Sequence, residues 1–137
     1  MKASLFIILT TYLIQALSLE IPDTLIDDKI KECFAEHKVE IEKLFTILDE
    51  GFQVISEDPL VYTLADCVSE KKQWIKNGEF NKESIVPMEK IIITAIKKDI
   101  EDHGKATEIA FDKCKNQKGE RDGVKFVQLH NCMMREA

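Results

Sequence analysis

The sequence is poor in the residues that several classes of protein need. It has only three histidines, and it contains neither a Cys-x-x-Cys nor a His-Glu-x-x-His motif, so there is little material for a metal site. Five glycines and three prolines in 137 residues exclude collagen-like and low-complexity chains. The net charge of -6 argues against binding to nucleic acid, which requires a basic surface. We therefore predict no metal, no cofactor and no nucleic-acid partner.

The amino terminus carries a short hydrophobic run. Lys2 is followed by an apolar stretch of about 13 residues, which is interrupted at Thr10 and ends in small residues such as Ser18. A membrane-spanning helix needs about 20 apolar residues, so an anchor is the weaker interpretation. We predict that residues 1–18 are a secretory signal peptide. Residues 19–137 are then a secreted, extracellular domain that does not insert into the membrane.

Secretion determines how the cysteines are interpreted. An even number of cysteines in an oxidising compartment indicates disulfides, here two, and the count alone leaves three connectivities open. All four cysteines lie in the predicted mature part, at Cys33, Cys67, Cys114 and Cys132. A stable crosslinked scaffold without further function would be a sufficient explanation of their presence.

The mature part has the residue spacing of α-helices. Apolar side chains recur three or four positions apart, and we find no strand-like alternation or Asn-Gly hairpin signal that competes with this pattern. The segment 124–134 is apolar on most sides, so it is expected to lie at the centre of the fold. The pattern predicts five to seven short helices.

Helix boundaries are indicated by proline, glycine and small polar residues. Asp58 followed by Pro59 is typical of a helix start, because Asp caps the first turn and proline is tolerated within it. Pro87 is expected to begin a new helical segment. Four glycines lie where helices are expected to stop, at Gly51, Gly78, Gly104 and Gly119.

The cysteine spacing, together with the helical stretch and exit turn at 67–80, resembles that of the insect odorant-binding proteins, in particular their four-cysteine minus-C subgroup. That family has six cysteines; the third follows the second after three residues, and the sixth follows the fifth after eight. With Cys67 as third and Cys132 as sixth, the missing second and fifth cysteines fall at Thr63 and Gly123. These two positions pair in the family, so the loss of one disulfide would explain both absences.

The resemblance has structural implications. It implies the disulfides Cys33–Cys67 and Cys114–Cys132, although the interval between Cys67 and Cys114 is rather long for the family. It also implies an all-α fold, a compact bundle of about six short helices around an apolar cavity, stapled by the two disulfides.

The resemblance also implies that the protein is not an enzyme. Members of the family are carriers that bind small hydrophobic molecules, such as odorants, pheromones or other lipophilic ligands. The candidate ligand-binding residues are apolar residues of the predicted helices, and one histidine that could respond to pH: Leu60, Leu64, Val68, Trp74, Met88, Ile92, Ile96, Phe126, Val127, His130, Met133 and Met134. For Trp74, Phe126, Met133 and Met134 the alternative is packing in the core.

Further partners and alternative functions follow from the same scaffold. A carrier of this kind would act with a chemosensory receptor or associate as a weak homodimer. The alternative is a secreted venom or salivary effector that has the same fold and binds a host target; the tissue of expression would discriminate the two. A secreted phospholipase would need a His-Asp pair beside cysteines and a calcium loop, and Asp102-His103 lacks that context. Four-helix cytokines have longer and fewer helices than this pattern indicates.

Overall fold

The structure, a computed structural model, describes residues 22–137 as a bundle of short helices. The predicted signal peptide, residues 1–18, lies outside the described residues. The described part contains six α-helices: α1 Asp28–Glu36, α2 Leu44–Ile47, α3 Pro59–Lys72, α4 Lys82–Ile96, α5 His103–Cys114 and α6 Asp122–Glu136. Two short 3-10 helices, Asp23–Leu25 and Ile41–Lys43, precede α1 and α2. The all-α bundle of about six short helices is confirmed.

Two disulfides connect neighbouring helices. Cys33–Cys67 joins α1 to α3, and Cys114–Cys132 joins the end of α5 to α6. This is the pairing that the family resemblance implies. The bridges span 34 and 18 positions, and closing loops of these lengths stabilises a fold by about 3–4 kcal/mol each if the chain-entropy account holds.

Helix α6 lies at the centre of the bundle, as its apolar sequence predicts. It packs most extensively against α3, next against α5, and over a smaller area against α4. Its buried side chains include Phe126, Leu129 and Met133. Because apolar residues cover several sides of α6, the helix contributes both to the core beside α5 and to the space between α3 and α4.

Aspartate side chains cap the amino-terminal turns of three helices. Asp58 accepts a hydrogen bond from the Leu60 N–H at 3.0 Å, and Pro59 occupies the first helical position of α3, as predicted. Asp27 and Asp102 cap α1 and α5 in a similar way, each through a backbone N–H three residues further on. These caps satisfy N–H groups that the first helical turn leaves without a partner.

A two-stranded hairpin follows α3, contrary to the prediction that the mature chain has no such signal. Helix α3 ends at Lys72, and β1 Ile75–Lys76 pairs antiparallel with β2 Glu79–Phe80. Asn77 and Gly78 connect the strands with φ values of 53° and 78°. A tight two-residue hairpin turn requires positive φ at both positions, and Asn-Gly is the sequence most typical of it. Gly78 therefore closes a hairpin and does not end a helix.

Two further boundary predictions are wrong. Pro87 lies inside α4 and does not begin a new segment. Proline removes one hydrogen bond from a helix interior, but α4 continues because Ile85 and Ile92, on either side of it, are buried in the core. Gly104 is the second residue of α5 instead of a helix end, since α4 already ends at Ile96.

Gly123 brings α6 close to α3 at the position where the resemblance places the missing disulfide. A Cβ atom added to Gly123 would overlap the carbonyl oxygen of Tyr62 and atoms of Asp66, which lie one residue before and three residues after Thr63 in α3. The Asp66 carboxylate accepts a hydrogen bond from the Gly123 N–H at 2.5 Å and another from Nε of Arg121 at 2.7 Å. A polar contact, made possible by glycine, thus joins the two helices where the resemblance places the missing disulfide.

Candidate functional site

An apolar cavity of about 160 Å³ lies between α3, α4 and α6. Its remaining wall comes from the residues around α1 and from the segment 44–54, which runs from α2 into the connection to α3. Its described wall has one titratable side chain, that of His130.

The structure brings eight of the twelve candidate residues together in this wall. They come from α3, the turn after it, α4 and α6: Leu64, Val68, Trp74, Met88, Ile92, Phe126, Val127 and His130. In each helix these residues recur at helical spacing, which is why a pattern of apolar residues identifies them. Their role as ligand contacts stays a prediction.

The other four candidates do not line the cavity. Met133 and Met134 are buried in the core, with exposed fractions of 0% and 3%, because they lie at the end of α6 that carries the bridge to α5. Ile96 packs partly buried against the same core at the end of α4. Leu60, in the first turn of α3, is half-buried and outside the wall. For the two methionines, core packing was the alternative weighed above, and both lie in the buried core cluster.

Sequence reasoning missed the part of the wall that precedes α3 and also two wall residues of α3 itself, Val61 and Ala65. Eleven further residues line the cavity: Leu25, Ile26, Ile30, Phe34, Leu44, Ile47, Leu48, Phe52, Val54, Val61 and Ala65. Residues 48–54 form an irregular turn with one isolated bridge between Leu48 and Val54, and Phe52 has a positive φ of 60°. The segment 48–54 has no helical periodicity, so only the apolar nature of Leu48, Phe52 and Val54 could have indicated that they line the cavity.

His130 is fixed by two buried partners. Its Nε2 lies 2.5 Å from the carbonyl oxygen of Phe52, and because a carbonyl only accepts, Nε2 carries a proton and donates it. Its Nδ1 lies 2.8 and 3.1 Å from the two carboxylate oxygens of Glu89, which is completely buried in α4. Both ring nitrogens are therefore engaged within the protein, and a proton lies between Nδ1 and the carboxylate.

Opposing effects determine the pKa of His130. Burial is the largest effect, and by itself it lowers the pKa by disfavouring the charged ring. The negative charge of Glu89, the hydrogen bond to it, the hydrogen bond to the Phe52 carbonyl and the charge of Asp49 all raise the pKa. Together they outweigh burial, so the pKa of His130 lies above its ordinary value of 6.5. Pairing with Glu89 therefore stabilises the charged ring relative to a histidine in water.

The residue after His130 holds the same irregular segment. Asn131 accepts a hydrogen bond from the Val54 N–H at 2.7 Å and donates one to the Val54 carbonyl oxygen at 3.0 Å. With the bond from His130 to Phe52, α6 makes three hydrogen bonds to the segment 48–54. These contacts position Phe52 and Val54 against the cavity.

Trp74 and Phe126 form the aromatic part of the wall. Their ring centroids are 4.0 Å apart with an angle of 15° between the planes, so the rings are stacked. The backbone of Trp74 is held on both sides: its N–H donates to the Ser69 carbonyl oxygen at 3.0 Å, and its carbonyl accepts from the Asn81 N–H at 2.7 Å. The indole ring is thus a rigid part of the cavity.

One group of potential metal-binding atoms occurs in residues 22–137, at Glu36, His37 and Cys67. The sulfur of Cys67 is bonded to Cys33, so it is not available as a thiolate ligand. Two exposed side chains remain, which is fewer than a protein metal site uses.

Comparison with protein families matches residues 23–136 to the PBP/GOBP family. The chain belongs to the PBP/GOBP family. Its two disulfides fit the minus-C type of insect odorant-binding protein. PBP/GOBP proteins are secreted, soluble binding proteins for small hydrophobic ligands. No curated protein and no solved structure matches the chain significantly. Within the part of the chain that the structure describes, no helix is both long and apolar enough to cross a membrane.

Proposed function

We propose that this PBP/GOBP protein is a secreted carrier that binds one small hydrophobic molecule in the cavity between α3, α4 and α6. Residues 1–18 are removed as a signal peptide, and residues 19–137 are the mature carrier. The strongest support for the proposal is the cavity itself. Every described element around it contributes apolar side chains to the wall.

The size and chemistry of the cavity suit such a ligand. An engineered apolar cavity of about 150 Å³ in another protein stays free of water and binds benzene. A ligand that fills the present cavity, about 160 Å³, would gain burial worth about 25 cal/mol for each Å² of apolar surface removed from water. Odorants and pheromones are apolar molecules, so their transfer from water into such a cavity is favourable.

The wall offers little for catalysis. His130 is the group in it that could act as a general base, and both its nitrogens are engaged by Glu89 and Phe52. The described wall contains no serine, threonine or cysteine that could serve as a nucleophile. These observations support a carrier over an enzyme.

The proposal can be tested by blocking the cavity from within. Ala65 lines the cavity, so Ala65→Phe would place a ring in the space where the ligand lies. Ala106→Phe is the matched control, because Ala106 is half-buried in α5 but outside the wall. Trp74 is the sole tryptophan and lines the cavity, so its fluorescence reports binding of aliphatic ketones, esters and hydrocarbons without an added dye.

We expect binding to the unmodified protein and to Ala106→Phe, and a loss of at least tenfold in affinity for Ala65→Phe, provided that circular dichroism shows all three to be folded. Equal binding to both variants would place the ligand elsewhere. If none of the compounds binds at micromolar concentration, the effector function is favoured instead. Expression in antennae would link the carrier to olfaction and to a chemosensory receptor, whereas expression in venom or salivary glands would not.

A further inference from the structure

We propose that the segment 48–54 is the gate of the cavity: it moves away from α6 as a unit, carries the side chain of Phe52 out of the wall, and so lets the ligand enter and leave. This inference rests on the proposed function, since it concerns access to the same cavity. It adds a moving part to the carrier and gives a reason for the backbone conformation of Phe52.

The gate holds its own shape. The Asp49 N–H donates to the Gln53 carbonyl oxygen at 2.9 Å, and the Phe52 N–H donates to the Asp49 carbonyl oxygen at 3.0 Å. One carboxylate oxygen of Asp49 also accepts from the N–H groups of Gly51 and Gln53, both at 2.9 Å. Each of these bonds joins two residues of the gate to each other. The gate can therefore move as a unit without losing them.

The gate is attached to α6 through two consecutive residues. His130 donates to the Phe52 carbonyl oxygen, and the Asn131 amide bonds both the N–H and the carbonyl oxygen of Val54. Opening therefore requires three hydrogen bonds to break together, and water can replace each of them once the gate has moved.

The chain around the gate has few other connections. Residues 37–58 contain no cysteine, so neither disulfide holds them directly. Within the described part of the chain, helix α2, which leads into the gate, packs extensively only against the 3-10 helix Ile41–Lys43. Helices α3 and α6 pack extensively against each other, and each is crosslinked to a further helix. Low contact density of this kind is typical of segments that open locally.

Phe52 has a backbone conformation that glycine usually adopts. Its φ of 60° lies in the left-handed region, which is costly for a residue with a large side chain. A hairpin turn that needs positive φ normally has glycine there, whereas the glycine of this turn, Gly51, lies one position earlier. The Phe52 ring lines the cavity with an exposed fraction of 3%, and its burial offsets the cost of the backbone. The ring is therefore the apolar contact that keeps the gate closed.

A gate and a passive wall predict different kinetics. The bonds from Asn131 to Val54 do not involve the ligand, so weakening them favours opening equally in the free and the bound protein. A gate that is mostly closed would then admit and release the ligand faster by the same factor, and the Kd would stay nearly constant. Damage to a passive wall raises the dissociation rate alone, as most changes at a binding site do.

The first experiment uses Asn131→Ala, because Asn131 holds the gate but does not line the cavity. The probe is 2-heptanone, and stopped-flow fluorescence of Trp74 gives its association and dissociation rate constants. Met88→Ala is the matched control, since Met88 is a half-buried residue of the wall that belongs to α4 and not to the gate. Circular dichroism verifies that both variants are folded.

We expect Asn131→Ala to raise both rate constants by about threefold to tenfold, the range of one hydrogen bond, with a change in Kd of less than about threefold. Met88→Ala should raise only the dissociation rate constant. If Asn131→Ala also raises the dissociation rate constant alone, the segment is a passive wall and the inference is wrong, while the carrier function stands.

Hydrogen exchange of the unmodified protein tests the gate without a variant and without a ligand. Opening exposes the Val54 N–H, which is bonded to Asn131, but leaves the Asp49 N–H bonded to Gln53. We therefore expect a lower protection factor for the Val54 amide than for the Asp49 amide. Equal protection of the two would overturn the inference, because the segment would then open only by unfolding. Failure of 2-heptanone to bind would count against the carrier function, and the exchange measurement would still decide whether the gate opens.

Discussion

Glu89 on α4 and His130 on α6 form a fully buried pair, with Nδ1 2.8 Å from the nearer carboxylate oxygen and 41 positions between them in the sequence. Through the second nitrogen of His130 the pair reaches the Phe52 carbonyl, so it connects α4 and α6 to the irregular segment of the cavity wall. Because a buried charge is stable only when paired, the geometry of these three elements is coupled.

Removal of the carboxylate should destabilise the fold, and the extent should depend on what replaces it. Glu89→Ala leaves His130 without its partner and opens a cavity, so we expect a loss of about 3–5 kcal/mol in the free energy of unfolding. Glu89→Gln should lose clearly less, because its amide can donate to a neutral Nδ1. Denaturant unfolding with intact disulfides measures both, and equal losses would show that the charge and hydrogen bond of Glu89 contribute nothing beyond packing.

The raised pKa of His130 predicts how stability depends on pH. The folded protein holds the His130 proton more tightly than the unfolded chain, whose histidine has a pKa near 6.5. This contribution is therefore fully present below pH 6.5 and is lost as the pH rises through the higher pKa of the folded state. Unfolding measured across this range should show the decline in the unmodified protein, and His130→Gln should remove that component. An NMR titration that places the pKa of His130 below 6.5 would contradict the prediction.

Asn131 should control the segment 48–54 without contacting the ligand. Asn131→Ala removes two hydrogen bonds to Val54, so we expect a loss of about 1–2 kcal/mol in stability and faster ligand dissociation. Hydrogen exchange of the amides of 48–54 and stopped-flow fluorescence of Trp74 measure the two effects. Gln128→Ala, an exposed position on the same helix, should change neither. Faster dissociation in both variants would mean that α6 as a whole, and not this contact, retains the ligand.

Two glycine-to-alanine substitutions should have opposite effects. At Gly123 the new methyl group would overlap the Tyr62 backbone, so α3 and α6 would have to separate, and we expect a loss of more than about 2 kcal/mol. At Gly104 the nearest atom is an Asp102 oxygen at 3.5 Å, an ordinary contact, and alanine should stabilise helix α5 by about 0.5–1 kcal/mol. Thermal unfolding compares them, and stabilisation by both would show that the close approach at Gly123 is not maintained in solution.

Local patterns predicted the helices but not every interruption of them. The start of α3 was predictable because Asp58 and Pro59 act within their own first turn. The hairpin was missed because each strand has two residues, too few to show alternation, although Asn77-Gly78 is the typical turn sequence. Pro87 was misplaced because the burial of Ile85 and Ile92, which keeps α4 continuous, depends on helices elsewhere in the chain.

The apolar wall was partly predictable, and its polar supports were not. Leu64 and Val68 follow the helical pattern of apolar residues in α3. Glu89 resembles any exposed acidic residue in the sequence, because its partner is 41 positions away. Asn131 makes its contacts 77 positions away. Pairing over such separations is set by the way the helices pack, which no local pattern contains.

The two bridges follow one another along the chain and do not interlock. Of the three ways to pair four cysteines, this one joins the residues that are nearest in sequence, 34 and 18 positions apart. Two cysteines that are closer in sequence meet more often, because closing a shorter loop costs less entropy. The entropy of loop closure therefore favours the native bridges during oxidation of the newly made chain. Either disulfide can form first, because the two disulfide loops, 33–67 and 114–132, do not overlap along the chain. The chain can therefore reach its native bridges with little need for disulfide reshuffling.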